Sequence, residues 1–290
     1  MKLLTKMMPK TDSSLPEIKV PSTWNEFSRS QLLYISQLFS KSFEQYHFKV
    51  IALNFLAHIK ITGEYNVDET DRYFFEIKFH KTKHFVSASL YNELLKSIKY
   101  LTEVSTLSNQ LIPHFWMGKQ YFGPDNSLYN ISYNELIHAQ LAYSNFTNSQ
   151  DIKHLATLAA ILYRPKKRKL NKKSPKWNGD IRQEFSAYTY KYRAKWFKWL
   201  PFKTKYAIYI FFSGSLNQMA DEHPLCFKAS TLISSTPKNV NPAKTLIDLV
   251  PVITKGDPTK NKALYKSPAW DVFDAYERMR EEFETSKPNK

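Results

Sequence analysis

Phe48, Ile51, Ala52, Phe55, Leu56 and Ile59 stand at i, i+3, i+4, i+7, i+8 and i+11. That spacing places six apolar side chains on one face of an α-helix and on no single face of a strand. The same period returns in Leu32, Ile35, Leu38 and Phe39, in Leu90, Leu94, Ile98 and Leu101, and through "DIKHLATLAAILY" at 151–163. Ser28 with Gln31 and Ser132 with Glu135 have the Ser-x-x-Gln/Glu spacing of a capping box, in which the two side chains satisfy orphan N–H groups of a first helical turn. Helix dominates.

The punctuation between these helices divides the chain. Residues 1–20 carry Pro9 and Pro16 and read as a flexible polar arm, and 21–105 reads as an N-terminal helical lobe. Within that lobe the alternating Phe75, Ile77 and Phe79, followed by a polar turn and Phe85-Val86, predict one small β-hairpin near 74–87. Pro113, Gly118, Gly123, Pro124, Asp125 and Asn126 crowd 106–130, which reads as a connection between lobes. A second helical lobe follows over 131–223, its second helix stopping before Arg164-Pro165 because a residue preceding proline disfavours α geometry. Segments 181–200 and 203–220 read as two more helices broken at Pro201. Residues 224–290 hold a proline-rich stretch and a C-terminal helix, with Ser267 as cap and Pro268 at its first turn. The expected class is mainly α, strictly α+β with one hairpin, in two helical lobes joined by a Gly/Pro-containing connection.

Few chemistries fit. Only six glycines occur in 290 residues, against a doubly wound fold that needs glycine where backbone meets phosphate. A single cysteine, Cys226, excludes an intrachain disulfide framework and a cysteine-ligated zinc, and points to a reducing compartment. "MKLLTKMMPKTDSS" lacks the apolar stretch of a signal peptide. The densest apolar run, Ala207 to Phe212, is far short of the roughly 20 residues that span a bilayer. The expected location is therefore the cytoplasm, with no transmembrane segment. The sequence contains no Walker loop, dinucleotide fingerprint, HExxH or nucleophile elbow. Gly214 in "FSGSLN" reads as a small residue at a close approach. His80 and His84, with Glu76 nearby, lack the further ligands a metal site needs. His138 and His154 read as partly exposed helical positions, and Asp221-Glu222 and Glu281-Glu282 diverge on their helices. The expectation is a protein with no catalytic, cofactor or metal residues.

Charge is where the chain departs from an ordinary globule. Between Ile152 and Ala220 sixteen Lys and Arg face only Asp180 and Glu184, a net +14 of the total +16. One cluster lies in "YRPKKRKLNKKSPKWNGD": Arg164, Lys166, Lys167, Arg168, Lys169, Lys172, Lys173 and Lys176. It reads equally as a solvated loop and as a phosphate grip. A second set, Lys191, Arg193, Lys195 and Lys198, interleaves with Tyr190, Tyr192, Trp196, Phe197 and Trp199. Exposed rings beside cations stack on unpaired bases, while the i, i+4, i+7 spacing of Tyr192, Trp196 and Trp199 favours rings turned to the core with cations at the wet rim. A membrane surface is the weakest of the three readings, since the cations do not segregate opposite the tryptophans.

Trp24-Asn25-Glu26 at a helix start, Gly123-Pro124-Asp125 in a connection, the capped Ser132–Glu135 and the exit Leu162-Tyr163-Arg164-Pro165 together resemble uncharacterised proteins from structural-gene regions of phages and integrated phage-like elements. The resemblance spans about two thirds of the chain and rests on caps and punctuation. It implies a non-enzymatic role in building a phage-like particle, such as tail morphogenesis, through contacts with other particle or assembly proteins. The basic 152–220 region carries the alternative of a DNA- or RNA-binding protein.

Overall fold

The computed structural model describes residues 18–67, 72–79, 81–168, 173, 179–227 and 242–285. They form two units: the described residues up to Phe27 with Leu38–Val104, and Ser28–Gln37 with the described residues from Ser105 onward. The class is mainly α with minor β. The expected connection at 106–130 and the segment after 224 both lie inside the second unit, and so does nearly all of the first helix. The arm, apart from its last three residues, lies outside the described residues, as does 228–241.

The first helix, α1 (Arg29–Leu38), starts as its spacing predicts. The Ser28 N–H donates to Gln31 Oε1 at 2.8 Å, and the Gln31 N–H donates to Ser28 Oγ at 3.2 Å.

In the first unit, α2 (Gln45–Leu56) buries Phe48, Ala52, Leu53 and Leu56. His58 then takes a left-handed φ of 54° and turns the chain into a strand. Three strands follow where one hairpin was expected: β1 (Ile59–Val67), β2 (Arg72–Phe79) and β3 (Thr82–Ser87), all antiparallel in that order. Ile59, Ile77 and Val86 turn to the buried face, and Phe75 meets Tyr91 of α3 (Ala88–Ser97) at 4.9 Å between ring centres. On β2 the alternate residue Glu76 receives the Lys83 ammonium at 2.6 Å, the Tyr65 hydroxyl at 2.8 Å and the Thr62 hydroxyl at 2.9 Å. Thr62 can reach it because the register shifts between Ile61 and Gly63, a bulge that re-aims the side chain. Trp24, Phe27 and Tyr100 close the other end of this core as a ring cluster.

The second unit is organised around a helix whose C-terminal half is buried on every side. A short hairpin, β4 (His114–Trp116) and β5 (Gln120–Phe122), leads to α4 (Tyr133–Ser149) and α5 (Ile152–Leu162). Leu155, Ala156 and every residue from Leu158 to Tyr163 are buried, while Ile152 and Lys153 are exposed and His154 and Thr157 half-buried, so α5 is amphipathic over its first turns and fully buried at its end. It ends before Arg164-Pro165, as predicted, and β6 (Arg164–Pro165) pairs with β5 to complete a second three-stranded antiparallel sheet. The α6 helix (Ala187–Phe197) and α7 (Phe202–Glu222) break at Pro201, also as predicted, but α6 starts six residues later than the 181–200 reading. Gly214 of α7 lies against the backbone of Leu107, a close approach to a loop. Finally α8 (Pro242–Ile253), α9 (Pro258–Lys266) and α10 (Ala269–Thr285) come back onto α4. There the Ala269 N–H donates to Ile131 O at 2.9 Å and the Tyr133 N–H to Ser267 O at 2.9 Å. No helix among the described residues is long and apolar enough to cross a membrane.

Candidate anionic-partner interface

A ladder only a few residues long brackets the basic stretch. Lys166 bridges Arg182, the Lys167 N–H donates to Ile181 O at 2.9 Å, and the Gln183 N–H donates to Pro165 O at 2.8 Å. Residues 168–179 connect the two sides of that ladder.

Four buried side chains hold the base. Glu135 accepts from Arg164 Nη2 at 2.7 Å and from Arg182 Nη1 at 3.1 Å. Asp180 accepts from Arg182 Nε at 2.8 Å and from Arg164 Nη2 at 3.2 Å. The quartet is charge-balanced, and Arg182 also donates to backbone, from Nη1 to Leu162 O at 2.8 Å and from Nη2 to Asn130 O at 3.1 Å, while Arg164 Nε is buried without a hydrogen-bond partner. Burial pushes the Glu135 carboxyl up against the pull of the two guanidiniums, and burial draws the Arg164 guanidinium down. For Arg182 burial acts the same way, yet Glu135 and Asp180 outweigh it and hold the guanidinium above its ordinary value. Sequence spacing assigned Glu135 to a capping box. The Ser132 hydroxyl does accept the Glu135 N–H at 3.3 Å, but the carboxylate serves the quartet.

This corrects one expected contact residue. Arg164 is 2% exposed and committed to two carboxylates, so it positions the loop and does not reach a partner. Lys167 is half-buried and donates to Asp180 O at 2.8 Å. Lys166, Arg168 and Lys173 are exposed. Lys169, Lys172 and Lys176 lie outside the described residues, as does His80 of the two hairpin histidines. His84 bonds the Thr82 hydroxyl at 2.8 Å, and no metal-holding cluster occurs among the described residues.

The rings of α6 point outward, against the core-facing expectation. Tyr188 and Trp199 are 82% exposed, Tyr192 and Trp196 69%. What faces inward is a narrower set. Phe197 is fully buried against Phe115 and Tyr121, with ring centres 5.3 and 4.9 Å away, and its burial contributes about 3 kcal/mol. Tyr190 stacks on Phe185, and Arg193 donates from Nε to Ala160 O at 3.0 Å. Arg193 is thus the second expected contact residue that the fold uses internally. Burial, reinforced by the Arg164 charge, lowers its guanidinium to about 10. Lys205 of α7 is buried too, capping the end of α6 by donating to Lys198 O at 3.0 Å.

Once these inward groups are set aside, the outer face of α6 has a simple order. At about 100° per residue from Tyr188, Tyr192 and Trp196 fall at about 40° and 80°, and Lys191 and Lys195 at about 300° and 340°. Lys198 and Trp199 follow in the turn that ends the helix, where the Trp199 N–H donates to Trp196 O at 3.1 Å. All seven are exposed. Three rings and two ammonium groups of α6 therefore share one arc of about 140°, lysines on one side and rings on the other, with one more of each just beyond the helix end. No aliphatic side chain is exposed along it. The Lys195 ammonium lies 5.7 Å from the centre of the Tyr192 ring. The chain matches no protein-family model, no curated protein and no solved structure.

Proposed function

We propose that the protein is a non-enzymatic binding protein whose second unit takes a single-stranded nucleic acid along α6. One observation carries this reading: Tyr188, Tyr192 and Trp196 are exposed on the same arc of α6 as Lys191 and Lys195, and Lys198 and Trp199 are exposed in the turn that follows. Rings held open to water beside ammonium groups give bases a stacking surface and phosphates their counter-charge. Lys166, Arg168 and Lys173 add exposed positive charge in the basic stretch. A helix that lies in a lipid interface carries its cations on the face opposite its rings, whereas here the rings and lysines of α6 share one arc of about 140°.

The test is titration of the full chain with single-stranded oligonucleotides, read by tryptophan fluorescence. Binding should quench the signal, weaken steeply with salt and fall in a Trp196→Ala/Trp199→Ala variant. An unchanged affinity in that variant, or binding of anionic vesicles but not of oligonucleotides, overturns the proposal. A role in phage-like particle assembly is the second reading, favoured by the same rings because Trp and Tyr dominate the energy of protein interfaces. Nuclease treatment before co-purification separates the two: particle proteins stay with an assembly factor and leave a nucleic-acid binder.

A further inference from the structure

A cleft of about 750 Å³ opens in the second unit between the start of α4, the 180–185 segment and α9. The buried quartet forms its floor. Because two guanidiniums there meet two carboxylates, the floor is neutral, and the charge of the cleft is set by what stands around it. Lys167, Lys262 and Lys266 line it against Glu184, whose carboxylate pairs with the Lys266 ammonium at 3.8 Å on the exposed rim, which leaves a surplus of two positive charges. The rings of Tyr129, Phe185 and Tyr265 also line it.

The wall built by α9 is unusual in composition. None of the nine residues of α9 is buried. Yet Pro258, Asn261, Lys262, Tyr265 and Lys266, at i, i+3, i+4, i+7 and i+8, all line the cleft. A helix packed on a core carries aliphatic side chains in that stripe. Here it carries an amide, a phenol and two ammonium groups, which is the lining of a ligand site: apolar area with a few polar groups that converge. Asp257 caps the helix by accepting the Thr259 N–H at 2.9 Å, which fixes where the stripe begins.

We propose that this cleft binds a mononucleotide-type ligand, its ring against Tyr265, Tyr129 and Phe185 and its phosphate at the Lys262 and Lys266 ammonium groups. Lysine binds phosphate as a point charge with three donors, and partly exposed rings take a planar heterocycle by stacking. The volume lies within the roughly 300–1,000 Å³ of small-molecule sites. The site is separate from the α6 face and stands whether or not that face takes a strand.

Isothermal titration of the full chain with adenosine monophosphate, adenosine and inorganic phosphate tests it. The monophosphate should bind at least tenfold more tightly than either part alone. Lys262→Ala/Lys266→Ala should weaken it at least tenfold while leaving the fold intact, since both side chains are exposed. Tyr265→Ala should weaken the monophosphate and leave any phosphate binding unchanged. Trp196→Ala/Trp199→Ala should leave all three titrations unchanged. No binding of the monophosphate at millimolar concentration, adenosine or phosphate binding as tightly as the monophosphate, equal affinity in the lysine variant, or loss in the tryptophan variant each overturns the assignment.

Discussion

Glu135 and Arg182, 47 residues apart in the chain, meet at 3.1 Å with neither side chain exposed to water. Removing one partner of such a pair leaves an uncompensated buried charge, at a cost of about 3–5 kcal/mol. Arg182→Met should therefore lose stability of that order in urea unfolding. Lys99→Ala, which breaks the exposed pair with Glu103 at 2.9 Å, should change it by less than about 0.5 kcal/mol. Equal effects from the two variants would mean that the quartet does not hold the base of the basic stretch.

The outward rings of α6 give a prediction with no cost in folding. Trp196 and Trp199 touch solvent over most of their surface, so replacing them should shift Tm by a degree or two at most. Loss of a base stack costs about 1–3 kcal/mol, so single-strand affinity should fall roughly five- to a hundredfold per ring in fluorescence titration.

The lysines of α6 and of the turn that ends it should appear in the salt dependence instead. Each ammonium that neutralises a phosphate contributes about 0.7 to the slope of log K against log salt for a single strand. Lys191→Ala, Lys195→Ala and Lys198→Ala together should flatten that slope by about 2. Arg193→Ala, whose Nε serves Ala160 O inside the protein, should lower stability and leave the slope nearly unchanged.

Gly214 predicts a sign reversal. In an ordinary helix interior Gly→Ala gains about 1 kcal/mol. A Cβ at Gly214 would collide with the backbone N, C and O of Leu107, whose loop is tied to α7 by Asn217 Nδ2 donating to Ser105 O at 2.9 Å. Gly214→Ala should therefore destabilise by more than the roughly 1–3 kcal/mol of side-chain overpacking, measured as a fall in Tm.

In the first unit, the Lys83 ammonium, then the Tyr65 and Thr62 hydroxyls, hold the Glu76 carboxyl down from 4.5 to about 2. A carboxyl depressed on folding stabilises the protein above its unfolded value, and that contribution is lost as pH falls through the folded one. The loss should thus run from pH 4.5 to about 2. Glu76→Gln should remove this part of the acid sensitivity in thermal scans across that window, and an identical pH profile in the variant would refute it.

Helix existence was legible because apolar period and cap chemistry are local. Ser28 with Gln31 needs nothing beyond four residues, and the stop at Arg164-Pro165 needs two. Strand β1 was not legible: "IKITGEYNV" carries Gly63 and polar alternates, so it shows no clean period of two. The hairpin of β4 and β5 has three-residue strands, too short to show a period of two. The quartet was hidden because Glu135 already satisfied a capping pattern and its partners stand 29 and 47 residues downstream. The orientation of α6 was misjudged by treating Tyr and Trp as core formers. The available signal was that Tyr188, Tyr192, Trp196 and Trp199 include no aliphatic neighbour on their face, while Phe197 and Ala194 mark the opposite one.

The ladder at Lys166 and Arg182 has an evolutionary consequence. Because its bonds run from the Lys167 N–H to Ile181 O and from the Gln183 N–H to Pro165 O, all of them backbone groups, the side chains at Lys167, Ile181 and Gln183 can change to any residue but proline without breaking them. Recognition specificity can drift there while the scaffold beneath is inherited intact.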